Sequence, residues 1–182
     1  MSTKCKFKNG MQVFSDSPQM ISAGGNKTSN QTLATSTTQT VLITETIYAN
    51  TIRAADTGFS FRAYVAGQLS ENAASGDITF TLRYGTTDVI AVATTGLQAE
   101  ALLPFKVEFS GTMLSTGFLV GVGFVTVYQA ATLQDGGKTA LTGVDTSSLI
   151  TADGSMNVTA TWDTSHGTNQ IIVTHGWIQF YN

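Results

Sequence analysis

The chain has 182 residues, of which only 12% are charged, whereas about 25% is usual for a soluble domain. It has nine lysines and arginines and a net charge of −3, too little positive charge to neutralise a phosphate backbone, so we expect no nucleic-acid partner. No apolar run approaches the roughly 20 residues of a membrane span, so we expect no membrane association. Cys5 is the single cysteine, which excludes an intrachain disulfide.

Threonine and serine replace the missing charges, with 30 threonines and 15 serines in the chain. Threonine is β-branched and suits a pleated, half-exposed strand surface. A surface hydrated by hydroxyl groups resists association less than a charged surface does. We therefore expect this protein to pack against copies of itself or against another protein.

The first forty residues differ from the rest of the chain. Residues 1–40 hold four of the six lysines and show little periodicity beyond a short candidate strand at 11–14. They lack the apolar segment of a signal peptide, so we expect the chain to begin at its own Met1. We interpret residues 1–40 as an arm or linker. We favour an arm that orders on docking to a partner, and a disordered leader is the alternative.

From residue 41 onwards, apolar and polar residues alternate with the period of two that is typical of strands. In the strand predicted over 59–65, apolar residues occupy one face, and Ser60, Arg62 and Tyr64 occupy the other. The predicted strands are, in chain order, 41–47, 59–65, 78–84, 89–93, 105–109, 118–128, 157–162 and 170–181, with a weaker one at 139–144.

Two stretches in the second half of the chain depart from simple alternation. Residues 118–128 are apolar on both faces, which predicts a central strand covered on both sides, and Gly121 and Gly123 indicate a bend or a close approach of backbone. Residues 129–155 contain turn signals such as Asp135-Gly136-Gly137, which predict mostly loop.

About eight strands with almost no helical periodicity predict an all-β protein. The spacing of the strands is typical of a sandwich, a jelly roll or a barrel. Antiparallel pairing is expected, because the sequence offers no helical crossover for parallel pairing. We place this single domain at residues 41–182.

The inventory of reactive side chains does not point to an enzyme. His166 is expected in a solvated turn and His175 on a face of the last strand, and no G-x-S-x-G nucleophile motif accompanies them. The carboxylates are too scattered to form a glycosidase pair. We expect neither a cofactor nor a metal; calcium held between loops by Asp135, Asp145 and Asp153 is the alternative.

Aromatic residues near strand ends or on the less regular faces are the candidates for an interaction surface. Such side chains stack on sugars or fill a subunit interface, and core packing is the alternative for each. His175 joins them as a residue of a strand face or an interface. The candidate interface residues are Tyr64, Tyr128, His175, Trp177 and Tyr181.

Four segments form a series that resembles a jelly-roll domain of bacteriophage virion proteins. They are NTIRAADTGFSFRAYVAG, GDITFTLRYGTT, LLPFKVEFSGTMLSTG and VTATWDTSHGTNQIIVTHGWIQF. The matching positions are Asn50 to Ile52 with Gly58, Ile78 to Gly85, Phe105 to Gly117, and Trp162 to Val173. The resemblance covers residues 41–182. Asp56-Thr57-Gly58 replaces the Gly-Asp that usually opens the second strand, and residues 1–40 have no counterpart.

The resemblance implies a single jelly roll, often trimeric, on a phage particle, without catalytic residues. Domains of this kind serve as capsid decoration or cement proteins, head fibres, and parts of tail fibres or spikes. A short chain with an N-terminal arm favours a decoration protein on the capsid surface, made in the host cytoplasm, that trimerises and stabilises the lattice. Its arm would contact the major capsid protein. The alternative is a receptor- or carbohydrate-binding head domain of a phage fibre.

Overall fold

The computed structural model describes residues 20–23, 31–34, 37–47, 58–71, 76–97, 99–114, 118–129, 132–143, 153–163 and 169–181. Most of these residues belong to strands. These residues include no helix long and apolar enough to cross a membrane. The strands are β1 (Met20–Ala23), β2 (Gln31–Ala34), β3 (Thr40–Ile47), β4 (Gly58–Glu71), β5 (Ile78–Tyr84), β6 (Thr87–Ala93), β7 (Glu100–Leu114), β8 (Phe118–Gln129), β9 (Thr132–Gly143), β10 (Gly154–Trp162) and β11 (Gln170–Tyr181).

The hairpin of β5 and β6 illustrates how the alternating pattern builds the fold. Ile78, Phe80 and Leu82 are completely buried, because alternate residues of a strand share one face. Tyr84 pairs with Thr87, which leaves a two-residue turn between the strands. Gly85 takes the first position of that turn with a φ of 57°, which glycine adopts without strain and which the tight turns of twisted hairpins require. The strand β6 therefore begins two residues earlier than predicted.

The eleven strands form two antiparallel sheets. The large sheet has the order β1-β11-β4-β7-β8-β9, with β2 also paired to β11, and the small sheet has the order β3-β10-β5-β6. Every neighbouring pair is antiparallel. The order β2-β11-β4-β7 opposite β3-β10-β5-β6 is that of a jelly roll, and β8 and β9 extend the large sheet as an added hairpin. The prediction of an antiparallel jelly-roll sandwich is confirmed.

The core lies between the two sheets. The rings of Phe80 on β5 and Phe105 on β7 stack across it, with centroids 5.3 Å apart. Burying one such side chain stabilises the fold by roughly 1.5–3 kcal/mol. Trp162 of β10, with 1% of its surface exposed, is the largest fully buried side chain of the small sheet.

Two glycines of β8 allow the sheets to approach closely. A Cβ atom on Gly123 would lie 2.6 Å from the ring of Phe109 and 2.6 Å from Val92, and one on Gly121 would lie 2.7 Å from Ile90. All three distances are shorter than van der Waals contact, so only glycine fits at these positions. The predicted close approach at Gly121 and Gly123 is confirmed.

Other parts of the β8–β9 hairpin differ from the prediction. Residues 132–143 form β9, so the prediction of mostly loop is wrong for residues 132–138. The weaker strand predicted at 139–144 is confirmed over residues 139–143. Asp135, Gly136 and Gly137 pair with Thr126, Val125 and Phe124 of β8. The reason is that a ladder of backbone hydrogen bonds to a long neighbouring strand outweighs the local preference of glycine for turns.

The described elements of the structure cover strand β8 on one side only. Phe124 and Tyr128 have 52% and 51% of their surface exposed, and Val120 has 36%. The prediction of a strand covered on both sides is therefore wrong: the small sheet covers the face that carries Val125 and Val127, and no described element covers the opposite face.

Two pieces of the predicted arm belong to the large sheet. The backbones of β1 and β2 pair with opposite ends of β11, with Met20 opposite Tyr181 and Leu33 opposite Ile171. The candidate strand at 11–14 lies outside the described residues. The division into an arm over 1–40 and a domain over 41–182 stays a prediction.

Candidate functional site

The face of the large sheet that points away from the small sheet, which we call the outer face, carries most of the candidate interface residues. On β4, Ala63 and Val65 are 2% and 0% exposed and point into the core. Tyr64 lies between them, so strand alternation directs it to the outer face. The same alternation brings Ser60 and Arg62, both exposed, to this face.

A bulge in β11 brings two further rings to the outer face. The register between β11 and β4 shifts between Val173 and His175, so Thr174 is the additional residue. Gly176 points inward, where a Cβ atom would lie 2.9 Å from Cγ2 of Ile43 on β3. His175 and Trp177, on either side of this buried glycine, therefore point outward.

Tyr64, His175 and Trp177 form a group of contacting rings, which we call the aromatic cluster. Trp177 lies directly opposite Tyr64, and their ring planes are 19° apart with centroids separated by 5.8 Å. His175 meets Tyr64 edge to face, with centroids also 5.8 Å apart and planes at 63°. These separations are typical of offset and edge-to-face aromatic pairs. Tyr64 and Trp177 are half-buried and His175 is exposed.

Polar residues surround the aromatic cluster in rows of directly opposite side chains. The row next to the one that contains Tyr64 includes Gln179, Arg62 and Ser110. On β7, which pairs with β4 on the side away from β11, Glu108 lies opposite Tyr64. The carboxylate of Glu108 is 3.5 Å from the ammonium group of Lys106. The cluster thus combines apolar ring surface with donors and acceptors of hydrogen bonds.

A shallow depression of about 450 Å³ opens on the outer face beside the aromatic cluster. Small side chains line much of it, and the hydroxyl oxygens of two of them, Ser60 and Thr112, are 3.3 Å apart. The hydroxyl of Tyr181, at one wall, donates to Oε1 of Gln179. The described residues that line the depression are Ser60, Phe61, Arg62, Ser110, Gly111, Thr112, Val120, Gly121, Val122 and Tyr181.

On the other side of Glu108, the outer face becomes apolar. We call the exposed residues Val120, Phe124 and Tyr128 of β8 the β8 stripe. Phe124 lies directly opposite Glu108, in the same row as Tyr64. The outer face therefore has an aromatic and polar half on β11 and β4, and an apolar half on β8.

The five candidate interface residues are placed in three different ways. Tyr64, His175 and Trp177 form the aromatic cluster, Tyr181 lines the neighbouring depression, and Tyr128 lies near the end of β8. None of the five is in the core. Their role as an interface stays a prediction.

Sequence reasoning missed Arg62, Gln179 and Phe124 as parts of this surface. The signal for Arg62 was present, since it shares the polar face of its predicted strand with Tyr64. The alternation of β11 likewise places Gln179 with Trp177. Phe124 could not be recognised as exposed, because its strand is apolar on both faces.

The residues considered for metal binding do not form a cluster in the described part of the chain. No three His, Cys, Asp or Glu side chains among the described residues lie close enough to hold a metal ion. Asp153 is exposed, whereas Asp145, His166 and the side chain of Asp135 lie outside what the structure describes.

No family model and no curated protein matches the chain. Among solved structures, it is similar to the CBM2 module of the evolved Dit of Lactobacillus casei BL23 phage J-1, with 12% identity over 98% of this chain and 83% of that chain and a TM-score of 0.37. It is also similar to a Lotus tetragonolobus seed lectin, with 9% identity, coverage of 92% and 89%, and a TM-score of 0.36. Its similarity to lectin I from Ulex europaeus has 12% identity over 67% of this chain and 71% of that chain, with a TM-score of 0.33. Identities and TM-scores this low do not assign a function to this chain.

Proposed function

We propose that this chain is a carbohydrate-binding module of a bacteriophage particle and that it binds a glycan on the outer face of its large sheet. The observation that carries the proposal is the aromatic cluster: Tyr64 and Trp177 stand nearly parallel on adjacent strands, half-buried and flanked by hydrogen-bonding side chains.

The chemistry of sugars favours such a surface. A pyranose ring presents a patch of C–H groups on one face and hydroxyl groups around its rim. The C–H patch stacks on an aromatic ring, and each hydroxyl needs a partner when it loses water. Trp177 and Tyr64 offer the ring surface, and Gln179 and Arg62 offer amide and guanidinium groups in the next row.

The shape of the surface supports an extended ligand. Small cofactors and metabolites bind in enclosed cavities that remove most of their surface from water. The outer face is instead open, and its depression is shallow. A polysaccharide chain lies along an open face of this kind, with one or two sugars in contact with rings.

The setting on a phage particle rests on the sequence. The resemblance to phage virion jelly rolls over residues 41–182 supports it, and the jelly-roll order of the strands agrees with the fold that this resemblance implies. A module of this kind would serve a fibre or another host-facing part of the virion, where host glycans are the first surface that it meets.

The test is a glycan array with the wild-type chain and two tyrosine variants. We expect Tyr64→Ala to lower the affinity for the bound glycan by at least about tenfold, because central aromatic side chains dominate binding energy. Tyr128→Ala is the matched control: it removes the same side chain from the same face but outside the aromatic cluster, and we expect affinity within about twofold of wild type. Binding that survives Tyr64→Ala, or a wild-type chain that binds no glycan, contradicts the proposal.

A second function is favoured by the β8 stripe. Exposed valine and aromatic side chains in a chain with 12% charged residues suit contact with another copy, as in a capsid decoration protein that assembles as a trimer. Light scattering on the purified wild-type chain tests this proposal. A trimer supports it, and a monomer at concentrations of tens of micromolar contradicts it.

A further inference from the structure

The depression beside the aromatic cluster has a chemistry of its own. Arg62 lines it together with three residues that carry hydroxyl groups, Ser60, Ser110 and Thr112. Ser60 and Thr112 face each other across the strand pair with their oxygens 3.3 Å apart. A hydroxyl can turn its hydrogen toward an incoming acceptor, so this group can present several donors to one ligand.

Charge distinguishes the depression from the rest of the outer face. Among the described residues that line it, Arg62 is the only charged one, and none is Asp or Glu. The described carboxylate closest along β7, that of Glu108, has Lys106 as its ion-pair partner at 3.5 Å. The described lining of the depression therefore carries one positive charge, in a chain whose net charge is −3.

Arginine and hydroxyl groups together fit an anion. The planar guanidinium fork donates two parallel hydrogen bonds to a carboxylate or a phosphate, and nearby hydroxyls can donate to the remaining lone pairs. A neutral sugar hydroxyl uses this fork less fully, because it accepts at a single oxygen. The lining thus favours an anionic group over a neutral one.

The depression lies within reach of a ligand that contacts the aromatic cluster. Arg62 and Tyr64 are two residues apart on the same face of β4, which separates their Cα atoms by roughly 7 Å. Gln179 links the two sites, since it lies opposite Arg62 and accepts the hydrogen bond from Tyr181. Neighbouring units of one glycan chain can therefore contact both.

We infer that the depression binds an anionic substituent, a carboxylate or a phosphate, of the glycan whose neighbouring sugar stacks on the aromatic cluster. The inference rests on the proposed carbohydrate-binding function and names its substrate class as acidic glycans. Arg62 forms the charged pair, and Ser60 and Thr112 contribute hydrogen bonds from the hydroxyl groups.

The test uses an array with three sets of glycans: neutral, carboxylate-bearing (uronic acids and sialic acids), and phosphate-bearing (polymers of glycerol phosphate). We expect the affinity of the wild-type chain for one anionic set to exceed its affinity for the neutral counterparts by about tenfold or more, which is the gain expected from a charge-assisted hydrogen-bonded pair. The set that binds identifies the anion as carboxylate or phosphate. Raising the salt concentration should reduce this preference, because the pair is exposed to solvent.

Variants assign the preference to the depression. Arg62→Gln should abolish the preference for anionic glycans but retain binding to their neutral counterparts. Arg62→Lys should retain part of the preference, since it keeps the charge and loses the fork. Arg83→Gln is the matched control, because Arg83 lies on the small sheet, 2.6 Å from Asp88, and should leave the preference unchanged.

The outcomes separate this inference from the proposed function. If the wild type binds neutral and anionic glycans equally, and Tyr64→Ala abolishes both, the proposed function stands and the inference is wrong. If the preference persists in Arg62→Gln, the anion binds elsewhere and the inference is also wrong. If the wild type binds no glycan at all, the proposed function fails, and the inference fails with it.

Discussion

The two halves of the outer face are built from the same sheet, yet they present their aromatic side chains differently. On β11 and β4, Tyr64 contacts the rings of both Trp177 and His175 and is half-buried. On β8, more than half of the surface of Phe124 and Tyr128 is exposed. Rings that are oriented before a ligand arrives lose less entropy on binding, which favours specific recognition. Exposed apolar side chains gain mainly from removal of water and favour contact with a protein surface.

The largest loss of stability is expected from a substitution between β7 and β8, where the two halves join. Gly111 of β7 lies opposite Gly121 of β8, and a Cβ atom on Gly111 would collide with the carbonyl oxygen of Val120 and lie 2.7 Å from Cζ of Phe61. Because a backbone carbonyl cannot rotate away, Gly111→Ala should separate β7 from β8. We expect a loss of about 3 kcal/mol or more in the free energy of unfolding, measured by denaturant titration.

Ser110→Ala provides the control for this prediction. Ser110 precedes Gly111 but points to the outer face, so its replacement removes one hydroxyl and creates no clash. We expect the free energy of unfolding to change by less than about 0.5 kcal/mol. Equal stability of Gly111→Ala and Ser110→Ala would show that the seam between β7 and β8 tolerates a side chain.

Two alanine substitutions, one in each half, should have smaller effects that distinguish the functions of the two halves. Trp177→Ala should reduce glycan affinity by at least about tenfold and leave the molecular mass in solution unchanged. Phe124→Ala should leave glycan affinity within about twofold, because Phe124 does not line the depression and its strand is three strands, or about 14 Å, from Trp177 on β11. If the chain self-associates, Phe124→Ala should weaken that association, measured by light scattering across a dilution series.

The opposite pattern would show that the outer face is not divided into two functional halves. Loss of glycan binding in Phe124→Ala at unchanged stability would mean that the ligand spans the whole face. Loss of self-association in Trp177→Ala would make the aromatic cluster a subunit contact. In either case, the outer face would be one surface with one function.

Sequence alone predicted the faces of individual strands but not which strands lie side by side. Alternation in 59–65 placed Arg62 and Tyr64 on one face, and the structure has them there. The contact between Tyr64 and Trp177 could not be predicted, because it depends on pairing between β4 and β11 and on the bulge at Thr174. A shift of one residue would have turned Trp177 into the core.

The β8–β9 hairpin shows a second limit of structure prediction from sequence. Its glycines at Gly136 and Gly137 carry a strong local signal for a turn, but the hydrogen bonds that hold them in β9 come from β8. The exposure of Phe124 has the same origin, since it depends on which elements cover a sheet and not on the strand's own sequence. Local patterns therefore predict the fold class and leave the composition of the site to long-range pairing.

The smallest effect is expected at the boundary between the halves, where Lys106 and Glu108 form an ion pair on β7. Their charged atoms are 3.5 Å apart, and 39% and 52% of the two side chains is exposed. Such a pair gains about 1 kcal/mol of Coulomb energy in water, and ordering two long side chains offsets much of it. Lys106→Ala should change the free energy of unfolding by less than about 0.5 kcal/mol, and a double-mutant cycle with Glu108→Ala should give a coupling of similar size. A coupling well above about 1 kcal/mol would mean that this pair is held rigidly between the aromatic cluster and the β8 stripe, so that a change in one half would be felt in the other.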